Sequence, residues 1–327
     1  MNKPKGPPRK DLKPVKIAVI GAGNVGATTA YGLLLSGLAA EIVLVDVNKD
    51  RAEGEEMDLS HASPFSHKTE IQVGDYADCA GASIVIIAAG INQKPGQTRM
   101  ELVNANVEIF KEMIPQIAHH APDSILVVAT NPVDVLTHVT WKLSGFPTHR
   151  VIGSGTALDT ARFRYEIGKL YQVNPENVQA DIIGEHGDTE LPVWSLASIS
   201  GMRLPDFCRQ SGMKYDESAM LACFTETKNA AYKIINRKGW TNYGVATALV
   251  RIVETILRDE DTLLPVSMVG NFAGVEDVAL SVPSKVTRLG VFHTLTLQLS
   301  PEEKSELRKS AESIKKVLDS LSLKGGE

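Results

Sequence analysis

Along the first half of the chain, short runs that are apolar at nearly every position alternate with helical stretches. Val15–Gly23 (VKIAVIGAG), Glu41–Asp46 (EIVLVD), Ala82–Gly90 (ASIVIIAAG) and Ser124–Pro132 (SILVVATNP) are rich in Val and Ile and end in small or polar residues. Apolar runs of this length without polar alternation predict strands buried on both faces, the condition of a parallel sheet covered by helices. Asn24–Ser36 and Met100–His119 are predicted helices between them. Strand–helix alternation then predicts a doubly wound α/β unit.

After about Thr156 the pattern changes. A predicted helix, TALDTARFRYEIGKLY, leads to strands near Val178–Ile183 and Leu191–Ile199. Helices over Asp216–Arg237 and Thr241–Leu257 follow, then strands near Leu264–Val269 and Val278–Val282. The last helix opens on Ser300, Pro301 and Glu303, a capping-box start. Leu307, Ala311, Ile314, Leu318 and Leu321 fall on one of its faces, so it should pack on the body. The predicted organisation is a flexible basic tail over 1–14, an α/β unit over 15–155 and a second, α+β unit over 156–327, packed directly on the first.

Composition narrows the partners. With 327 residues, 43% hydrophobic, 22% charged and a net charge of −5, the chain suits about two globular domains. It offers no electrostatic reason to bind nucleic acid or an anionic membrane. No apolar run reaches the roughly 18 residues of a membrane span. The start, MNKPKGPPRKDLKPVK, lacks the apolar core of a secretory signal. Cys79, Cys208 and Cys223 are widely spaced and odd in number, so they predict buried thiols of a cytoplasmic protein, not a disulfide framework or metal site.

The first strand runs into GAGNVG, which sets Gly21, Gly23 and Gly26 in the G-x-G-x-x-G spacing. The first glycine allows a tight turn, the second lets the backbone approach a pyrophosphate, and the third lets helix and strand pack closely. The helix N-terminus then faces the phosphate charge. The next strand ends in Asp46, 20 residues past Gly26, where a carboxylate accepts hydrogen bonds from the adenosine ribose. Together these predict a Rossmann-type dinucleotide site that favours NAD, since Asp46 would repel a 2′-phosphate. Arg51, close by, tempers that discrimination.

ADIIGEHGDTELPVW poses a sharper question, because His186 sits between Glu185 and Gly187, with Asp188 and Glu190 following. Histidine titrates near neutral pH and can transfer a proton, yet Gly-Glu-His-Gly-Asp is equally good turn chemistry. Three other segments carry candidate partners. AAGINQKPGQTRMELV places Gln93 and Arg99 in a polar loop after a strand, and VVATNPVD places Asn131 at another strand end, where ligands bind in such sheets. LDTAR sets Asp159 and Arg162 three apart on one helix face. That pair reads either as an intrahelical salt bridge, or as a fork for a substrate carboxylate beside an acid that orients a base.

With these segments in view, the chain resembles the L-lactate dehydrogenase family, bacterial type, within the wider lactate and malate dehydrogenase group. The resemblance runs through GAGNVG, VLVDVNKDRAEGEEMDL, NQKPGQTR, ATNPVDVLTH, SGFPTHRVIGSGTALDTARFR and GEHGDTELPVW. It implies that His186 exchanges a proton with the oxygen of pyruvate or L-lactate while hydride moves to or from NAD. Asp159 would hold the imidazole, although spacing alone leaves Asp188 as an alternative. Arg162 would bind the substrate carboxylate, Arg99 would polarise the carbonyl from a closing loop, and Asn131 and Thr241 would line the substrate. Val25, Tyr76, Ala89, Gly90, Ala129 and Asn131 would contact cofactor.

Gln93 stands where the malate enzymes carry arginine, and its neutrality implies pyruvate over oxaloacetate. A malate dehydrogenase is the rival within enzymes, and a non-enzymatic dinucleotide sensor is the rival outside them; the acid–base and arginine set argues against a sensor. The resemblance also implies a homotetramer. Many bacterial members bind fructose bisphosphate through an arginine and a histidine. Arg164 matches the first, but Gln179 occupies the second position, which predicts weak or absent activation.

Overall fold

The computed structural model describes residues 14–91 and 98–321, apart from the Arg99 side chain. The predicted tail thus lies outside the described residues, save its last position. The first half lays down β1 (Lys16–Ile20), α1 (Asn24–Ser36), β2 (Glu41–Val45), α2 (Lys49–Ala62), β3 (Glu70–Val73), β4 (Ile84–Ile87), α3 (Arg99–His120), β5 (Ile125–Val128), α4 (Val133–Ser144) and β6 (Val151–Gly153). These strands are all parallel and lie in the order β3-β2-β1-β4-β5-β6. The sheet is doubly wound, as predicted, and the order reverses between β1 and β4. A crevice opens at such a reversal, beyond the carboxyl ends of the strands.

The continuous apolar runs follow from burial on both faces. Ile17 and Val19 point to one side, with Ile42, Leu44, Ile84 and Ile86. Ala18 and Ile20 point to the other, with Val43, Val85 and Ile87. Leu33 and Leu34 of α1 cover the first side, and Val107 and Phe110 of α3 cover the second.

The second half begins with α5 (Ala157–Tyr171) and continues through α6 (Leu204–Ser211), α7 (Glu217–Lys238), α8 (Tyr243–Arg258) and α9 (Pro301–Ser320). Its strands Thr262–Phe272, Val275–Thr287 and Gly290–Thr294 form an antiparallel meander that extends the parallel sheet to nine strands. The joint is Ser267 opposite Gly153. A Cβ at Gly153 would come within 2.3 Å of Thr137 Oγ1 and 2.9 Å of Ser267 Cβ, so the close approach requires glycine there. The second half therefore continues the sheet of the first, and Leu249, Ile252 and Val253 of α8 pack into the same core layer as α1.

Two predicted strands are broken. Val178–Ile183 divides into Val178–Gln179 and Ile182–Ile183, and Leu191–Ile199 divides into Leu191–Pro192 and Ser198–Ile199 around a single turn at Trp194–Leu196. Each piece joins a different small sheet. An apolar run shows that a segment is buried but not where it changes partner. The three cysteines are free and buried.

The last helix has the predicted start. Ser300 Oγ accepts from the Glu303 backbone N–H at 3.2 Å, and Glu303 returns a carboxylate oxygen to the Ser300 N–H at 2.8 Å. Glu303 also takes the Ser195 backbone N–H and hydroxyl, so the cap ties α9 to the segment after the His186 loop. Ser300→Ala should cost about 1 kcal/mol, the usual value of such a cap. The check is a lower urea midpoint with an unchanged slope.

Candidate active site

At the switch point, the Gly21 backbone presses against the end of β4. A Cβ on Gly21 would lie 2.6 Å from the Ala89 nitrogen, and one on Gly26 would lie 1.8 Å from the Gly21 carbonyl oxygen. Gly23 differs, with open space where its Cβ would be. It is the N-cap of α1, whose first turn has neither a side-chain cap nor an acidic residue, so its N–H groups remain available to a pyrophosphate. Asp46 Oδ2 accepts the Ala22 N–H at 2.7 Å, and Oδ1 accepts the Asn48 N–H at 2.8 Å, which aims the carboxylate along the turn. Arg51 donates to the Asn24 side chain at 3.1 Å on the rim of the same turn. Val25 lies in the first turn of α1 and Tyr76 in the turn after β3, both half-buried. These residues fit a dinucleotide.

The ends of β4 and β5 are fastened together by Thr130, within the strand end already singled out, and by Asn106, which sequence reading passed over. Thr130 donates its hydroxyl to the Ala89 carbonyl at 2.7 Å. Asn106, fully buried, accepts the Ile91 N–H at 2.9 Å and donates to the Asn131 carbonyl at 3.0 Å. Ala89, Gly90, Ala129 and Asn131 are thereby brought to one edge. Asn106 lies within a helix and carries no sequence signal of this function. Gln93 lies outside the described residues, as does the side chain of Arg99 at the start of α3. Thr241 is half-buried between α7 and α8.

His186 lies in the loop between the strands Ile182–Ile183 and Leu191–Pro192, and this loop is held on several sides. Gly184 exchanges both backbone hydrogen bonds with Ser281, at 2.8 and 3.1 Å. Glu185 N–H donates to Ser310 Oγ of α9 at 2.8 Å. His186 N–H donates to Asp134 Oδ2 at 2.7 Å, while Asp134 Oδ1 takes the Ser267 hydroxyl at 2.6 Å. Asp134 thus links the site to the joint of the sheet. In the sequence it reads only as an acid in the first turn of a helix, where its charge suits the helix dipole.

The imidazole Nδ1 meets Asp159 Oδ2 at 2.5 Å, and Asp159 Oδ1 meets Arg162 Nη1 at 3.0 Å. The geometry picks Asp159 over Asp188. The intrahelical ion pair of Asp159 with Arg162 is present through one carboxylate oxygen, and the other oxygen meets the imidazole. Burial works against ionisation of Asp159, but the His186 and Arg162 cations outweigh it and keep the carboxyl below its ordinary value. Burial would likewise lower the His186 pKa, yet the Asp159 carboxylate, then Asp134 and Glu190, reverse this and raise it to about 9. With Nδ1 committed, Nε2 is the nitrogen that can give or take a proton, and the ring remains 26% exposed.

Asp159, His186 and Glu190 also offer ligand atoms within 4.8 Å of one another. The 2.5 Å between Nδ1 and Oδ2 is a hydrogen bond, shorter than the about 3.3 Å separating two ligands of one tetrahedral zinc.

Residues 15–153 match the lactate/malate dehydrogenase NAD binding domain, and residues 156–322 match the lactate/malate dehydrogenase alpha/beta C-terminal domain. The chain is 57% identical over 312 residues to a probable L-lactate dehydrogenase of Schizosaccharomyces pombe, covering 95% of this chain and 94% of that one. It is 50% identical over 314 residues to an L-lactate dehydrogenase of Clostridium botulinum, covering 96% and 99%. Its structure is similar to the minor L-lactate dehydrogenase of Enterococcus mundtii, with TM-score 0.91, 40% identity and coverage of 95% and 99%.

The imidazole's raised pKa has a signed consequence. Its contribution to stability is complete below the free value of 6.5 and is lost as pH rises through about 9. Asp159→Asn removes the main partner, so an NMR titration of His186 should fall from about 9 to 6.5 or below. A value that stays near 9 would assign the shift to another group.

Proposed function

The chain belongs to the lactate/malate dehydrogenase family, and from that premise we propose how its site works as an NAD-dependent L-lactate dehydrogenase. It interconverts pyruvate and L-lactate, at the pyruvate end of glycolysis and in fermentation. When bound, the nicotinamide supplies the hydride to the substrate carbon or accepts it back. His186 Nε2 gives its proton to the carbonyl oxygen during reduction and recovers it during oxidation. Arg162, 16% exposed at its side chain and anchored by Asp159, takes the substrate carboxylate in a fork. Arg99 polarises the carbonyl, and Asn131 and Thr241 line the substrate. The observation that carries this reading is the His186–Asp159–Arg162 chain, which joins a proton donor and a carboxylate clamp through one buried acid.

Pyruvate is favoured over oxaloacetate because Gln93 is neutral. A second carboxylate left unpaired in a closed site costs several kcal/mol. The enzyme is proposed to be cytoplasmic, in keeping with its three buried, unpaired thiols. It is proposed to be a homotetramer. Tyr31 and Leu35 of α1, with Trp240 and Tyr243 around the start of α8, are 45%, 50%, 48% and 71% exposed and offer apolar surface for self-association. No helix among the described residues is long and apolar enough to cross a membrane.

Regulation by fructose bisphosphate is proposed to be weak. Arg164 is engaged by its own chain, through Asp181 at 2.6 Å and the Ala180 carbonyl at 2.9 Å, and Gln179 brings no charge to a phosphate.

Two measurements test this reading. NADH oxidation with a panel of 2-oxo acids should favour pyruvate, and Gln93→Arg should move the ratio of specificity constants toward oxaloacetate by about 100-fold or more. An unmoved ratio would mean that Gln93 does not face the substrate. Pyruvate saturation with millimolar fructose bisphosphate should show less than about a fivefold drop in apparent KM, the low end of allosteric coupling. A larger drop would show that Gln179 is no obstacle.

A further inference from the structure

Of the buried acids around His186 that the mechanism does not use, one has an unmet oxygen. Glu190 closes the His186 loop just before the strand Leu191–Pro192 and is 8% exposed. Among the described residues its Oε1 has no hydrogen-bond partner. One of its oxygens lies within 4.8 Å of ligand atoms of both Asp159 and His186.

The surroundings decide its charge. Asp159 already carries a negative charge and spends it on His186 and Arg162. Lys228, reaching in from α7, donates its ammonium to the Asp188 carbonyl at 2.7 Å. Asp134 of α4, together with Glu185 and Asp188 of the loop itself, adds further acids around His186. An ionised Glu190 would be a second buried anion beside Asp159 with one oxygen unsatisfied, and a buried carboxylate in that position takes up a proton instead.

We propose that Glu190 is a positioning residue held as a neutral carboxyl, and that its ionisation, separately from that of His186, sets the alkaline limit of substrate binding. The inference rests on reading the site as one for a 2-oxo acid. Such a substrate brings its carboxylate to Arg162, three residues along α5 from Asp159. A neutral Glu190 leaves the Arg162 cation to that carboxylate, whereas loss of the Glu190 proton to solvent places an opposing charge beside it. Burial, then the Asp159 charge, push the Glu190 carboxyl up to about 8, against opposite pulls from His186, Lys228 and Arg162. Because this value is raised, the neutral form is complete at low pH and lost as pH climbs through about 8.

The test separates affinity from turnover. In the wild type, apparent KM for pyruvate should rise between pH 6.5 and 9, about tenfold of it from Glu190 titrating near 8. Glu190→Gln and Glu190→Met, both unable to ionise, should lose that part of the rise while kcat still follows the titration of His186. An unchanged ratio of KM between the two pH values would assign the whole limb to His186 and overturn the proposal. A uniform fall in KM that includes pH 6.5 would show that Glu190 is ionised throughout, and would also overturn it.

Infrared difference spectra of wild type against Glu190→Gln read the carboxyl without turnover. A protonated-carboxyl band at pH 6.5 that fades through about pH 8 is expected, and its absence refutes neutrality. Failure of the wild type to reduce any 2-oxo acid would instead refute the function, and the infrared band would still report on Glu190.

Discussion

A single buried carboxylate holds this site together. Asp159 is 2% exposed, and an anion so placed persists only if both oxygens are met by charge or strong donors. Arg162 meets one and His186 the other. That requirement fixes the rotation of α5, which must bring Asp159 and Arg162 to the same face, and the approach of the His186 loop. The carboxylate in turn sets the tautomer by engaging Nδ1 and keeps the proton on the imidazole above neutral pH. Local stability and the proton affinity of the imidazole therefore draw on the same ion chain.

The fold supplies what this chain needs by continuing one sheet through both halves. Ser267, opposite Gly153 at the joint, gives its hydroxyl to Asp134, and Asp134 takes the backbone N–H of His186. His186 is thus referred to the strand that joins the two halves. On the other side of the loop, Ser310 of α9 holds Glu185 and lies 3.0 Å from Thr189 Oγ1. A loop tied at Gly184, Glu185, His186 and Thr189 pays its ordering entropy on folding rather than on substrate binding. The cofactor turn is built differently. It depends on absent side chains, since Gly21 and Gly26 admit no Cβ and Gly23 leaves space in front of the helix N-terminus.

Much of this was legible in the sequence, for local reasons. Runs such as SIVII and ILVV disclose burial on both faces, and hence a parallel sheet. The glycine spacing with Asp46 discloses a dinucleotide turn, because each glycine answers a steric demand of adjacent backbone. Ser300 with Glu303 discloses a helix start, because capping is settled within four residues. His186, Asp159 and Arg162 were picked out by residue type and by resemblance to a family, but spacing could not choose between Asp159 and Asp188.

That choice belonged to the tertiary structure, as did the rest of the support. Asp159 and His186 are 27 positions apart, and Asp134 and Ser267 are 133 apart, so no local pattern records their contact. The breaks inside Val178–Ile183 and Leu191–Ile199 arise where segments exchange one sheet for another, which apolar periodicity does not register. Asn106 carries no motif, and Glu190 reads only as one more acid after His186; their burial, one satisfied and one with an unmet oxygen, is what sets them apart. The sequence determined which elements form and which groups carry chemistry, because propensity, sterics and capping act over a few residues. The tertiary structure decided which of those groups share a proton, because that depends on distance and desolvation between segments far apart in the chain.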